Sequence, residues 1–95
     1  MHQLLTELEV QSAFASHLRR LRERAKLSRS ALAERSTVPA ATIKKFELTG
    51  QISFRQLLLL WQSLDDLNRI YELTLESQGL PNVPTSIDEV LKGGI

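Results

Sequence analysis

Apolar residues recur at helical spacing along most of the chain. Phe14, Leu18, Leu21 and Ala25 fall at i, i+4, i+7 and i+11, one face of a helix from about Gln11 to Ala25. Ser28 follows as a good N-cap, because its hydroxyl can accept a backbone N–H from the next turn. A short helix, Arg29 to Arg35, then places Leu32 and Ala33 inward, and Ser36-Thr37 reads as a turn. Val38 is expected to plug the core. Pro39 suits the first turn of the next helix, where its missing N–H is no loss. In that helix, about Pro39 to Leu48, Ile43 and Phe46 face inward with Val38. Ala40, Ala41, Lys44 and Lys45 are left outward, with Thr42 at the edge. Thr49-Gly50-Gln51 ends the helix, since Gly50 can take the left-handed conformation of a helix stop.

Ser53 caps a fourth helix, Phe54 to about Leu64, whose run FRQLLLLWQSL is apolar nearly all round. Leu57, Leu58, Trp61 and Leu64 cover one face, and Leu59 and Leu60 extend beyond it, as in a helix buried on two sides. Asp65 or Asp66 caps a fifth helix to about Ser77, with Leu67, Ile70, Tyr71 and Leu75 on its apolar side. Helices four and five carry more apolar surface than a small core absorbs. Leu59, Leu67, Ile70 and Tyr71 are therefore expected at a dimer or partner surface, most simply a two-fold one.

The ends read differently. Thr6 and Glu9 have capping-box spacing, but Leu4, Leu5 and Leu8 read equally as a loose arm, so residues 1–10 are taken as an N-terminal arm. Residues 11–77 form the helical domain. Residues 78–95 are a linker, QGLPNVP, and a C-terminal tail, TSIDEVLKGGI, in which Ser86 and Glu89 repeat the capping-box spacing. One helical turn is not stable alone, so the tail docks on this chain or another, or stays unfolded.

Composition narrows the class. Ninety-five residues suffice for one small domain, and only 5% are aromatic, which favours an all-α fold. The chain has no cysteine, which excludes disulfides and thiolate chemistry. No apolar run approaches a membrane span of about 20 residues. The opening MHQLLTELEV is too acidic and mixed for a signal peptide. A cytoplasmic protein is expected, with no membrane. Two histidines, no glycine-rich phosphate loop and no spaced ligand cluster argue against an enzyme, a metal or a cofactor. His17 lies beside an apolar face and reads as a core-edge residue.

Charge is near balance overall at +1 but unevenly placed. His17 to Glu47 holds nine cations and three anions, and Asp65 to Leu91 one cation and six anions. A basic half suggests a polyanion and an acidic half a second surface; the same charges would also serve simply to solvate helix faces.

The stretch Leu18–Leu67, with LRRLRERAKLS and ALAERSTVPAATIKKFE, resembles the lambda-repressor/Cro-like (XRE-type) helix-turn-helix family. Thr37 stands where that family usually has glycine, and Pro39 where it often has serine. FELTGQIS, a leucine-rich helix and LDDL are similar to HipB-like antitoxins, which are usually encoded beside a HipA-like kinase toxin. The resemblance implies an all-α, five-helix lambda-repressor-like DNA-binding domain with a C-terminal tail. It implies that Ala40, Ala41, Lys44 and Lys45 face base edges. Arg29 and Ser30 would meet phosphates at a helix start, and Thr42, Thr49 and Gln51 would touch the backbone beside them. The function implied is a homodimeric repressor on an inverted-repeat operator in double-stranded DNA, bound to the nucleoid and serving as the antitoxin of its own operon. The alternative is a module of the same fold that binds a partner protein without reading DNA.

Overall fold

Thr6 starts the first helix. Its hydroxyl accepts the Glu9 amide at 3.1 Å while the Glu9 carboxylate accepts the Thr6 amide at 2.9 Å. This reciprocal cap satisfies two N–H groups that would otherwise lack partners, and α1 runs Glu7–Arg24. The arm expected over residues 1–10 is thus helical from Glu7 onward. The computed structural model describes residues 4–75. The linker and tail expected over 78–95, and the last residues of the expected fifth helix, lie outside the described residues.

Four further helices follow: α2 (Arg29–Ser36), α3 (Ala40–Thr49), α4 (Phe54–Leu64) and α5 (Leu67–Leu75). The architecture is all-α, and among the described residues no helix is long and apolar enough to cross a membrane. Ser28 and Ser53 cap α2 and α4 as expected, accepting the Ala31 and Gln56 amides at 3.0 and 3.1 Å. Pro39 is the N-cap of α3 rather than a residue of its first turn, because its ψ of 144° is extended. Its carbonyl still accepts the Ile43 amide at 3.0 Å.

The chain divides into two compact units between Asp65 and Asp66. Helix α5 belongs to the second unit. Asp65 closes α4 in the extended region, at φ −144°, ψ −155°. Asp66 then begins a fresh turn, its carboxylate accepting the Asn68 amide at 2.9 Å.

In the first unit, α1 packs on α3 and α4, and α2 packs on the same two helices. The core is Ala15 and Leu18 of α1, Leu32 of α2, Val38, Ile43 and Phe46, and Leu60 and Trp61 of α4. Val38, Ile43 and Phe46 are inward as their spacing predicts. In α1 the buried stripe is Ala15, Leu18 and Arg22, whereas Phe14 and Leu21 are half-buried and Ala25 is exposed. The Trp61 ring lies 5.6 Å from Phe14 and 5.5 Å from His17 between centroids. His17 also sits 3.7 Å from the Asp65 carboxylate, at the edge of the core.

The turn between α2 and α3 is tight because Thr37 is left-handed, at φ 66°. Ser36, itself buried, accepts the Val38 amide at 3.1 Å and fixes the exit. A left-handed residue with a Cβ costs about 1–2 kcal/mol, and glycine returns about 0.5–1 kcal/mol of that as unfolded-chain entropy. Thr37→Gly is therefore expected to stabilise the fold by about 0.5–1 kcal/mol, raising Tm by a few degrees in a thermal melt. An unchanged or lower Tm would mean that the Thr37 hydroxyl, which donates to the Ser36 carbonyl, outweighs the strain.

Candidate nucleic-acid interface

Helix α3 presents two faces. Ile43 and Phe46 are buried, so Ala41, Lys44 and Lys45 are forced outward and are exposed, with Ala40 and Thr42 half-buried at the margin. Leu48 continues the outward face one turn beyond Lys44 and is 63% exposed. The sequence pattern did not single it out.

Beside this face runs a shallow groove of about 400 Å³, lined by Ala41, Thr42, Lys45, Gln51, Ser53 and Gln56 among others. It brings together four of the nine residues expected at DNA. The start of α2 contributes two more, the exposed Ser30 and the half-buried Arg29.

Arg29 is tied to a feature absent from the sequence-based expectation. Glu47 of α3 has a side chain only 3% exposed, facing Arg22 of α1, whose side chain is 10% exposed. Arg22 donates from Nε to Oε2 at 2.6 Å and from Nη2 to Oε1 at 3.0 Å. Its Nη1 donates to the Leu27 carbonyl at 2.8 Å. Arg29 adds its own Nε to Glu47 Oε1 at 2.9 Å. One carboxylate thus joins the end of α1, the start of α2 and the end of α3. Arg22, one of the nine cations of the basic stretch whose charges were expected to meet a polyanion or solvate helix faces, is instead internal. Arg29 stays 30% exposed at its side chain, and among the described residues no hydrogen bond uses its Nη groups.

The pair also sets the local titration. Burial alone pushes the Glu47 carboxyl up, but hydrogen bonds from Arg22 and Arg29, with their charges, outweigh it and hold the group below its ordinary range. The same hydrogen bond raises the Arg22 guanidinium, against the opposing effect of burial.

These pairings change which cations can attract a polyanion. Arg22 is neutralised inside, and Arg19 pairs with Glu23 at 3.2 Å. Arg20, Arg24, Lys26, Arg35, Lys44 and Lys45 remain exposed.

The residues expected at a partner surface are not all on one unit. Leu59 lies in the first, in a separate groove of about 440 Å³ with Arg35, Ser36, Thr37, Gln62 and Ser63. Leu67, Ile70 and Tyr71 belong to α5; Leu67 and Tyr71, one helical turn apart, are exposed, and Ile70 is half-buried.

A family model described as a helix-turn-helix domain matches residues 13–74. No curated protein and no solved structure matches the chain.

Proposed function

Because the chain belongs to the helix-turn-helix domain family and is a DNA-binding regulator of the XRE-like kind, we propose that it is a sequence-specific repressor. In this reading α3 enters the major groove. The observation that carries it is the outward face of α3: alanines where the groove is approached most closely, and lysines that reach guanine edges or phosphates. Ala40 and Ala41 offer only apolar contact, so Lys44 and Lys45 carry the direct readout and DNA shape adds the rest. Arg29, Ser30, Thr42 and Gln51 hold the backbone on either side.

A homodimer, through Leu59 or through Leu67, Ile70 and Tyr71 of α5, would place two α3 helices on an inverted repeat, with half-sites about one helical turn apart. The resemblance to HipB-like antitoxins supports a narrower role, autorepression of a toxin–antitoxin operon in the cytoplasm with a HipA-like kinase as partner. The residues 78–95 are its candidate docking tail.

The test is a salt-dependent gel shift on duplex DNA from upstream of the protein's own reading frame, against a scrambled duplex. Wild-type protein should shift the upstream duplex selectively. Lys45→Ala should lose about 1–3 kcal/mol of discrimination at one base pair. Arg29→Ala should weaken every duplex alike and lower the salt slope by about 1, a change that loss of the Glu47 contact alone does not produce. Equal binding to scrambled DNA, or none at all, would refute the repressor. It would favour the protein-binding alternative, for which the exposed Leu67 and Tyr71 are the motivating feature.

A further inference from the structure

The family pattern gives Thr49 a contact with the DNA backbone, but its hydroxyl is already engaged twice. Its single hydrogen goes to the Lys45 carbonyl, at 2.6 Å. Its oxygen accepts the Gln51 amide at 3.1 Å. A phosphate oxygen can only accept, and a threonine has one O–H to give. To bind phosphate, Thr49 would have to release the Lys45 carbonyl.

What the hydroxyl does instead is tie the last turn of α3 to the segment after it. That segment is pinned on both sides. Gly50 turns back in the left-handed region at φ 80°, donating its amide to the Phe46 carbonyl at 2.7 Å. Ser53 then caps α4. Between them Gln51 is exposed and lines the same groove as Lys45 and Ser53. Its side-chain amide carries two donors of the kind a phosphate needs.

We propose that Thr49 is a positioning residue: its hydroxyl fixes the Gln51 backbone so that Gln51, and not Thr49, meets the phosphate beside the recognition helix. The inference rests on the DNA-binding reading above and assigns the backbone contact within it.

The test is a double-mutant cycle, with affinities measured by fluorescence anisotropy on the upstream duplex. Thr49→Val keeps the shape and removes the hydroxyl; Thr49→Ser keeps the hydroxyl. One lost hydrogen bond corresponds to roughly fivefold in affinity. Thr49→Val and Gln51→Ala should each weaken binding by about that factor, and Thr49→Ser by less than about twofold. The double variant should bind about as Gln51→Ala alone, because Thr49 acts through that residue. Amide exchange gives a second readout without DNA: protection at Gln51 should fall in Thr49→Val and persist in Thr49→Ser.

Losses that multiply in the double variant would mean that Thr49 touches DNA independently, and would overturn the inference. So would unchanged affinity or unchanged Gln51 protection in Thr49→Val. Wild-type protein that binds no duplex would instead overturn the repressor reading, and this inference with it.

Discussion

Replacing Glu47 with alanine is expected to cost about 3–5 kcal/mol, the cost of leaving a buried charge without its partner. The carboxylate accepts from two arginines, and its side chain is 3% exposed. Its removal strands Arg22, whose side chain is 10% exposed and whose guanidinium would keep only the Leu27 carbonyl. Helical domains of this size hold about 0.05–0.15 kcal/mol per residue, so the loss is a large share of the total. Glu47→Ala should therefore be partly unfolded near room temperature in a denaturant titration. Glu47→Gln, which keeps an acceptor but not the charge, should fall between. A loss below about 1 kcal/mol in Glu47→Ala would show that the pair behaves as a screened surface bridge.

The same contact predicts how the fold responds to acid. The Glu47 carboxyl is held below its ordinary value of 4.5, so its ionised form is favoured by folding. That contribution is complete above pH 4.5 and is lost as pH falls through the lower, folded value. Wild-type stability should drop over this acid window, and in Glu47→Gln the drop should be shallower.

This cluster also marks where sequence reading stops. Periodicity identified Val38, Ile43 and Phe46 as core, and from them the outward Lys44 and Lys45 followed, because a helix that buries one face must expose the other. Caps were legible too: Ser28 and Ser53 are hydroxyl residues directly before helical runs, and both accept as expected. Arg22 and Glu47 were not found, since a charge is taken as exposed until a partner is known. A signal was present. Arg22 lies four residues after Leu18 and Glu47 four after Ile43, so each continues a buried face. Opposite charges at two inward positions are the pattern of an internal ion pair. The backbone between α4 and α5 is hidden for another reason. Asp65 is a single extended residue between two helices, and the dipeptide Asp65-Asp66 reads equally well as a helix cap. The start of α1 was underestimated because the leucines around it, Leu4 and Leu5 before the cap and Leu8 after it, are exposed, so hydrophobic pattern carried no information there and only the cap did.

Gly50→Ala is expected to cost about 2–4 kcal/mol, combining left-handed strain with a steric conflict. Gly50 and Thr37 both end helices at positive φ, 80° and 66°, yet only one is glycine, and the surroundings explain why. A Cβ at Gly50 would stand 3.1 Å from the backbone carbon and the Cβ of Gln11, and 3.3 Å from the Gln11 carbonyl oxygen. Two of those three atoms are main chain of α1 and cannot rotate aside, so the end of α3 would have to move away from α1. Thr37 is exposed, and its Cβ meets only the conformational cost. The two effects separate with asparagine, which tolerates left-handed backbone but still carries a Cβ. If strain alone matters, Gly50→Asn should recover most of the loss of Gly50→Ala; if the approach of α1 matters, both should melt well below wild type. The contact predicts the second outcome. It also predicts weaker DNA binding in both variants at temperatures where they remain folded, because the displaced segment carries Gln51. Full-strength binding with a lowered melting point would separate the α1 contact from the interface.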